Sequence, residues 1–386
     1  MKLYLHIGTE KTGSTALQNH IISTPPEYIS TQIKTFESLG RGNNQALAFM
    51  FTNNLKIDSY FKMNGILKLE DWKAWRKQKA KALELELSRT SSKTFLISSE
   101  HLQSCLRSIQ EVQELKNYLY KHFDDVKVIV YLRDPLETAI SRWSTQIKCG
   151  SPILKLPPPS DQRLRTICSH KETILLWSLI FGIENIIPKC YDKLKFKNNS
   201  IHQDFLDTLN IRYSPKDLLA SDYKSNETLS YNQIAVLARL SKLNNFKKNK
   251  EVYTAYKSIC SHLLLNPLEN VPTLSYQPSA RELEIYTDYY NSSNEWLKTN
   301  FFANERSLWP SKKNYGEKGR AMYLKHVDKI HTEAEIAAKT INDAVKDYFL
   351  RIQISSLSDS KLPHIFCGKS FIKFIKSTDA GIYLKT

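Results

Sequence analysis

No apolar run in this chain approaches the roughly 20 residues that span a bilayer. The longest, residues 174–183, falls well short. A secretory leader is not legible either: Lys2-Leu-Tyr-Leu-His-Ile-Gly8 reads as a core strand, followed at once by a turn and a helix. The expectation is a cytoplasmic protein without a transmembrane segment, with peripheral membrane contact left open. The six cysteines (Cys105, Cys149, Cys168, Cys190, Cys260, Cys367) form no C-x-x-C pair. That spacing argues against a zinc ribbon or a disulfide framework and for reduced, structural thiols. The histidines are scattered too, so no metal site is expected. Internal repeats and long low-complexity segments are missing. With 41% hydrophobic and 24% charged residues, the chain reads as globular.

Acidic residues are in short supply. Against 55 Lys and Arg stand 39 Asp and Glu, a net charge of +16. Such a chain expects anionic partners: nucleotides, phosphates, acidic glycans, nucleic acid or a membrane surface. Its 386 residues allow one large α/β domain or two ordinary ones.

Strands are expected at residues 2–8, 93–98, 126–132 and 185–190. The third is almost continuously apolar, as suits a parallel strand buried on both faces. Helices are expected at 14–22, 70–90, 111–123 and 171–181, then at about 201–209, 230–243, 280–300 and 328–350. In the 70–90 helix, Trp72, Trp75, Leu83 and Leu87 share one side. Asp134 fits an N-cap, Pro135 the first helical position, and Glu137 completes an Asp-x-x-Glu capping box. Residues 150–161 are Pro-rich and read as loop. This alternation predicts an α/β fold: a P-loop-like central parallel sheet with helices on both faces and a helical C-terminal part. The expected division is an α/β domain over 1–310, with a helical insertion at about 31–90, and a C-terminal helical extension with a basic tail over 311–386.

The first chemical site is Gly8-Thr-Glu-Lys11-Thr12-Gly13-Ser14-Thr15, between a strand and a helix. A helix N-terminus exposes N–H groups and the positive end of its dipole, so it binds anions. Gly8 and Gly13 let the backbone approach a phosphate, Ser14 and Thr15 add hydroxyls, and Lys11 adds charge. The loop departs from G-x-x-x-x-G-K-[ST], because Ser14 follows Gly13 where that motif has lysine. The second site is Arg133, at the carboxyl end of the apolar strand, where open α/β sheets bind ligands. Its fork of donors matches a phosphate, and Ser141 stands eight residues on. Each motif alone has an ordinary structural reading, and their combination favours function.

Together the two sites resemble those of the sulfotransferases that use 3′-phosphoadenosine 5′-phosphosulfate (PAPS). That family's 5′-phosphosulfate loop carries Lys-x-Gly-[Ser/Thr]-Thr, here Lys11 to Thr15. Its 3′-phosphate motif is a strand ending in Arg with Ser eight residues later, here Arg133 and Ser141. Tyr191-Asp-Lys-Leu, Asp204-Phe-Leu-Asp-Thr-Leu and Asn226-Glu-Thr-Leu-Ser look like the bacterial, glycan-acting branch. Glu10 stands where the small-molecule branch has Pro, and Gly316-Glu-Lys-Gly-Arg320 only faintly echoes that branch's C-terminal motif.

The resemblance implies metal-free, in-line sulfuryl transfer from PAPS to a hydroxyl of a carbohydrate or glycolipid, leaving 3′-phosphoadenosine 5′-phosphate (PAP). Lys11 would stabilise the leaving oxygen, the backbone of Thr12, Gly13, Ser14 and Thr15 would hold the 5′-phosphate, and Arg133 and Ser141 the 3′-phosphate. A hydroxyl acceptor needs a general base. Ser98-Ser99-Glu100-His101 follows the second strand, with Glu100 preferred and His101 the alternative. Lys148, Lys155, Arg163 and Arg165 could line an acceptor cleft or form a solvated loop. Trp143 and Trp177 could stack on sugars, and fit a core better. The rivals are an ATP-dependent small-molecule kinase, a basic nucleotide- or nucleic-acid-binding protein without activity, and a sulfotransferase fold that has lost turnover. No nucleic-acid-binding signature is present, so nucleic acid is not expected as a partner. Oligomeric state and the tail after about 352 have no sequence reading.

Overall fold

A computed structural model describes residues 1–23, 27–53, 59–214, 228–243, 256, 258–259, 271–310, 317–358, 374 and 377–379. Two compact units divide the chain. The first holds Met1–Thr138, Pro159–Ser225 and Tyr286–Lys312; the second holds Ala139–Pro158, Asn226–Ile285 and Lys313–Thr386.

The first unit is built on four parallel strands: β1 (Lys2–His6), β2 (Thr94–Ser98), β3 (Asp125–Leu132) and β4 (Ile186–Cys190). Their order is β2-β1-β3-β4. His6 pairs with Ser98 on one side and Ile129 on the other. From β1 the chain first goes to the β2 side and then returns to the β3 side, so the order reverses between β1 and β3. Ligands of open α/β sheets bind beyond the strand ends at such a switch point.

In chain order the early helices are α1 (Ser14–Gln18, continued by a π-turn at Asn19–Ser23), α2 (Glu27–Ser30), α3 (Gln45–Phe51), α4 (Ser59–Met63) and α5 (Leu69–Ser88). After them come α6 (His101–Cys105), α7 (Ile109–Leu119), α8 (Pro135–Lys148), α9 (Gln162–Ile167), α10 (His170–Phe181) and α11 (Ile201–Thr208). Alternating strand residues feed two cores, because successive side chains leave a strand on opposite faces. Leu3, Leu5, Phe95, Ile97, Val126, Val128 and Val130 join one core with residues of α3, α5, α7 and α10. Tyr4, Leu96, Ile129 and Tyr131 join the other with Leu17, Ile29, Phe205 and Leu206. Helices therefore cover both faces, as the apolar β3 demands. The buried residues of α5 are Trp72, Trp75, Leu83 and Leu87, the stripe read from sequence.

The second unit contains the rest of α8, α12 (Tyr231–Leu243), the start of α13 (Ala280–Phe301) and α14 (Glu317–Ser358). The last helix is much longer than the expected 328–350. Its buried face includes Ile330, Ala334, Ala337, Ala338 and Ile341, and the three alanines permit close packing against α12. His331 lies 3.1 Å from the Tyr231 hydroxyl.

No helix among the described residues is long and apolar enough to cross a membrane. Cys105, Cys149, Cys168 and Cys190 are thiols, and burial pushes Cys168 and Cys190 up to about 12. Such thiols are poor nucleophiles, as structural cysteines should be. Cys260, Cys367 and nearly all of the expected C-terminal tail lie outside the described residues.

Candidate active site

Beyond β1 the chain stays tied to β3. The Ile7 N–H donates to the Ile129 carbonyl (2.9 Å) and the Thr9 N–H to that of Tyr131 (2.8 Å), while the Tyr131 N–H donates to Gly8 (2.6 Å). The loop thus starts from a fixed edge. Gly8 has φ +98°, and a Cβ there would stand 2.9 Å from Cα and Cβ of Glu100. Only a residue without a side chain permits that approach. Lys11 also has positive φ, +67°. Thr12 is fully buried, its hydroxyl donating to the Thr9 carbonyl (2.5 Å), so it braces the loop from within.

Gly13 has φ +74°, and a Cβ on it would come within 3.0 Å of the Tyr191 ring. Its carbonyl accepts from the N–H groups of Ala16 (2.9 Å) and Leu17 (3.1 Å), which starts α1. The first amides of that helix have no carbonyl one turn back to bond to. The Ser14 hydroxyl is buried and has no partner among the described residues, while Thr15 is exposed. A buried orphan hydroxyl costs about 1–3 kcal/mol unless a ligand satisfies it.

Arg133 comes to the same loop from β3. Its Nη1 donates to the Lys11 carbonyl (2.9 Å), its Nη2 lies 3.6 Å from Glu137, and its guanidinium stacks over Tyr191 at 5.4 Å. The two motifs, 122 residues apart, therefore meet by direct hydrogen bond. Asp134 caps α8, its Oδ1 accepting from Leu136 (2.9 Å) and Glu137 (3.0 Å). The Arg133 carbonyl accepts from His170 Nε2 at 2.9 Å. Burial pushes His170 down to about 4, so it is a neutral donor here.

Glu100 is the N-cap of α6 and His101 its first residue. Their surroundings differ. Glu100 sits against Gly8, and its Oε2 accepts from Gln18 Nε2 (3.0 Å) and Asn43 Nδ2 (3.1 Å). The His101 ring packs instead on Phe49, centroids 5.4 Å apart. Behind Glu100, Gln18 also reaches the Ser98 hydroxyl (3.3 Å), which lies 2.8 Å from His6 Nδ1. Full burial pushes His6 down to about 3, so this chain of polar groups ends on a neutral ring.

Glu10 forms an ion pair with Arg163 of α9. Arg163 therefore braces the Gly8-to-Thr15 loop, where the sequence reading left it between an acceptor cleft and a solvated loop. Lys155 and Arg165 are exposed and Lys148 half-buried. Trp143 and Trp177 are fully buried core residues. Asp204, in a segment singled out by resemblance, accepts from the Tyr131 hydroxyl (2.6 Å) and pairs with Lys189 (3.2 Å). Ser141 is half-buried on α8, in the part that belongs to the second unit.

Sequence reasoning missed Gln18 and Asn43 and gave Tyr191 no role. Gln18 had a signal: an amide beside the apolar Leu17 of a short helix. Asn43 lay in an Asn-rich stretch read only as polar loop.

No family model and no curated protein matches the chain. Three solved structures similar to it are sulfotransferases. One, from Alicyclobacillus acidocaldarius, is 12% identical with a TM-score of 0.32, covering 56% of this chain and 88% of its own. The sulfotransferase domain of a Synechococcus olefin synthase is 15% identical with a TM-score of 0.33, covering 75% and 94%. The sulfotransferase domain from the curacin biosynthetic pathway is 14% identical with a TM-score of 0.30, covering 74% and 96%.

Proposed function

We propose that this protein is a PAPS-dependent sulfotransferase acting on a hydroxyl of a carbohydrate or glycolipid. One observation carries the reading. Arg133 bonds directly to the Lys11 carbonyl, joining two anion-binding motifs at the switch point of a parallel sheet. The loop also fits a phosphate by composition and shape: an orphan Ser14 hydroxyl, and a Gly13 whose missing Cβ lets Tyr191 close on it.

In this reading the helix-start amides and the Ser14 hydroxyl hold the 5′-phosphate, and Arg133 binds the 3′-phosphate. Ser141 keeps the 3′-phosphate role that the resemblance implies. When bound, PAPS supplies an activated sulfuryl group. Lys11 supplies positive charge where charge develops on the leaving oxygen, the kind of fixed electrostatic help that dominates such transfers. Glu100 takes the proton of the acceptor hydroxyl. Its contact with Gly8 supports that role over His101, which faces Phe49.

The test is transfer of label from PAPS to a panel of carbohydrates and glycolipids. A loss of labelled product of about 100-fold or more is expected in Lys11→Ala, and one of about 100–10,000-fold, still measurable, in Glu100→Ala. Undiminished labelled product in Lys11→Ala would contradict the assignment.

A further inference from the structure

Three carboxylates border the Gly8-to-Thr15 loop, and they are held differently. Glu10 is paired with Arg163 and Glu137 with Arg133. Glu100 is held by two neutral amides, Gln18 at 3.0 Å and Asn43 at 3.1 Å, both on Oε2. No donor reaches its Oε1 among the described residues.

An arginine would fix a carboxylate and cancel its charge together. An amide fixes it and leaves the charge in place. A group meant to accept a proton needs the second arrangement, with one oxygen anchored and the other bare.

Gln18 is anchored through its own side chain and Asn43 through its chain neighbour, the Asn43 Oδ1 having no partner among the described residues. Gln18 is buried, and its Nε2 also reaches the Ser98 carbonyl (3.4 Å) and hydroxyl (3.3 Å). The Ser98 hydroxyl is set in turn by His6 (2.8 Å). Asn43 is set through its neighbour Asn44, whose Oδ1 accepts from the Ser98 N–H (3.0 Å). The Asn44 Nδ2 donates to the carbonyls of Phe36 (2.9 Å) and Gly40 (3.0 Å). Thus both supports of Glu100 trace back to Ser98, the last residue of β2.

We infer that Gln18 and Asn43 are positioning residues that orient Glu100 with Oε2 held and Oε1 presented for proton transfer. This rests on the reading of Glu100 as the base, and its test has an arm that does not. The variants are Gln18→Leu, of similar size without the donor, and Asn43→Ala on the loop, in case the buried change prevents folding.

Crystal structures of both are expected to show the Glu100 carboxylate displaced from its present position. A carboxylate that stays in place in both would overturn the inference, whatever the activity. In turnover, each variant is expected to lose about 10–100-fold in kcat with the PAPS KM unchanged, since a displacement near 1 Å costs about that much. In a Glu100→Ala background, Gln18→Leu is expected to cost nothing more, because it acts through the missing group. Full additive losses would refute the role. Absence of transfer by the unmodified protein would sink the sulfotransferase reading alone, and the crystallographic comparison would still decide the positioning.

Discussion

Replacing Gly8 by alanine probes the closest contact of the site, and a second glycine supplies the control. A Cβ at Gly8 would lie 2.9 Å from both the backbone Cα and the side-chain Cβ of Glu100, and no χ rotation moves either atom aside. At Gly65 the φ is also positive, +70°, but nothing lies within 4 Å of the added carbon. A positive φ costs alanine about 1.5 kcal/mol at Gly65 and at least as much at the wider φ of Gly8. The contact cost falls on Gly8 alone, roughly 2 kcal/mol for overpacking that the surroundings cannot relieve. At about 3 °C per kcal/mol for a unit of this size, Gly65→Ala should lower Tm by about 4–5 °C and Gly8→Ala by about 10 °C. Differential scanning calorimetry measures both. Affinity for PAP should be unchanged in Gly65→Ala and weakened in Gly8→Ala, because pushing Glu100 away moves the loop. Equal losses of Tm in the two variants would refute the close packing of Gly8 on Glu100.

Lys11→Ala is expected to reduce turnover by about 100-fold or more while weakening PAP binding modestly, since its charge matters most as the leaving oxygen develops. Steady-state kinetics beside calorimetry separates the two, and near-normal turnover would contradict the role. Arg133→Ala is expected to cost about 10–100-fold in PAP affinity, the worth of a charge-assisted hydrogen bond, and an unchanged affinity would refute the 3′-phosphate assignment. Stability should fall in acid. His6 and His170 are held neutral by burial, down to about 3 and about 4, against 6.5 for an ordinary histidine. Below pH 6.5 the unfolded chain binds protons that the folded chain refuses, so stability is full above that pH and is lost as pH falls toward 4. The slope is about 1.4 kcal/mol per pH unit for each ring. His170→Asn should flatten the pH dependence of Tm over that range, and an unaltered slope would contradict the buried neutral state.

Much of this was legible because it depends on local pattern. The continuous apolar run of β3 announced a strand buried on both faces, and the four-residue stripe of α5 announced its buried side. Asp134 and Pro135 marked the start of α8 correctly. Glu137, read as half of a capping box, donates its N–H to Asp134 Oδ1 as that motif requires, and its carboxylate also lies 3.6 Å from the Arg133 guanidinium, a charge-assisted pairing across one helical turn. Tertiary pairing also explains Arg163, for which the sequence left an acceptor cleft and a solvated loop both open and which is tied to Glu10 across 153 residues of chain. Gln18, Asn43 and Tyr191 act through pairings set by tertiary structure, which periodicity does not carry. The helix ending at 350 in the sequence reading continues to Ser358, since no proline or glycine interrupts it.

The central claim is that the loop of Lys11 and the strand end of Arg133 form one site for a nucleotide bearing a 3′-phosphate. Calorimetric titration of the purified protein with PAP, beside ATP with Mg²⁺, tests it most directly. Micromolar or tighter binding of PAP and little binding of ATP are expected. Preference for ATP would favour the kinase reading, and binding of neither would contradict a working nucleotide site.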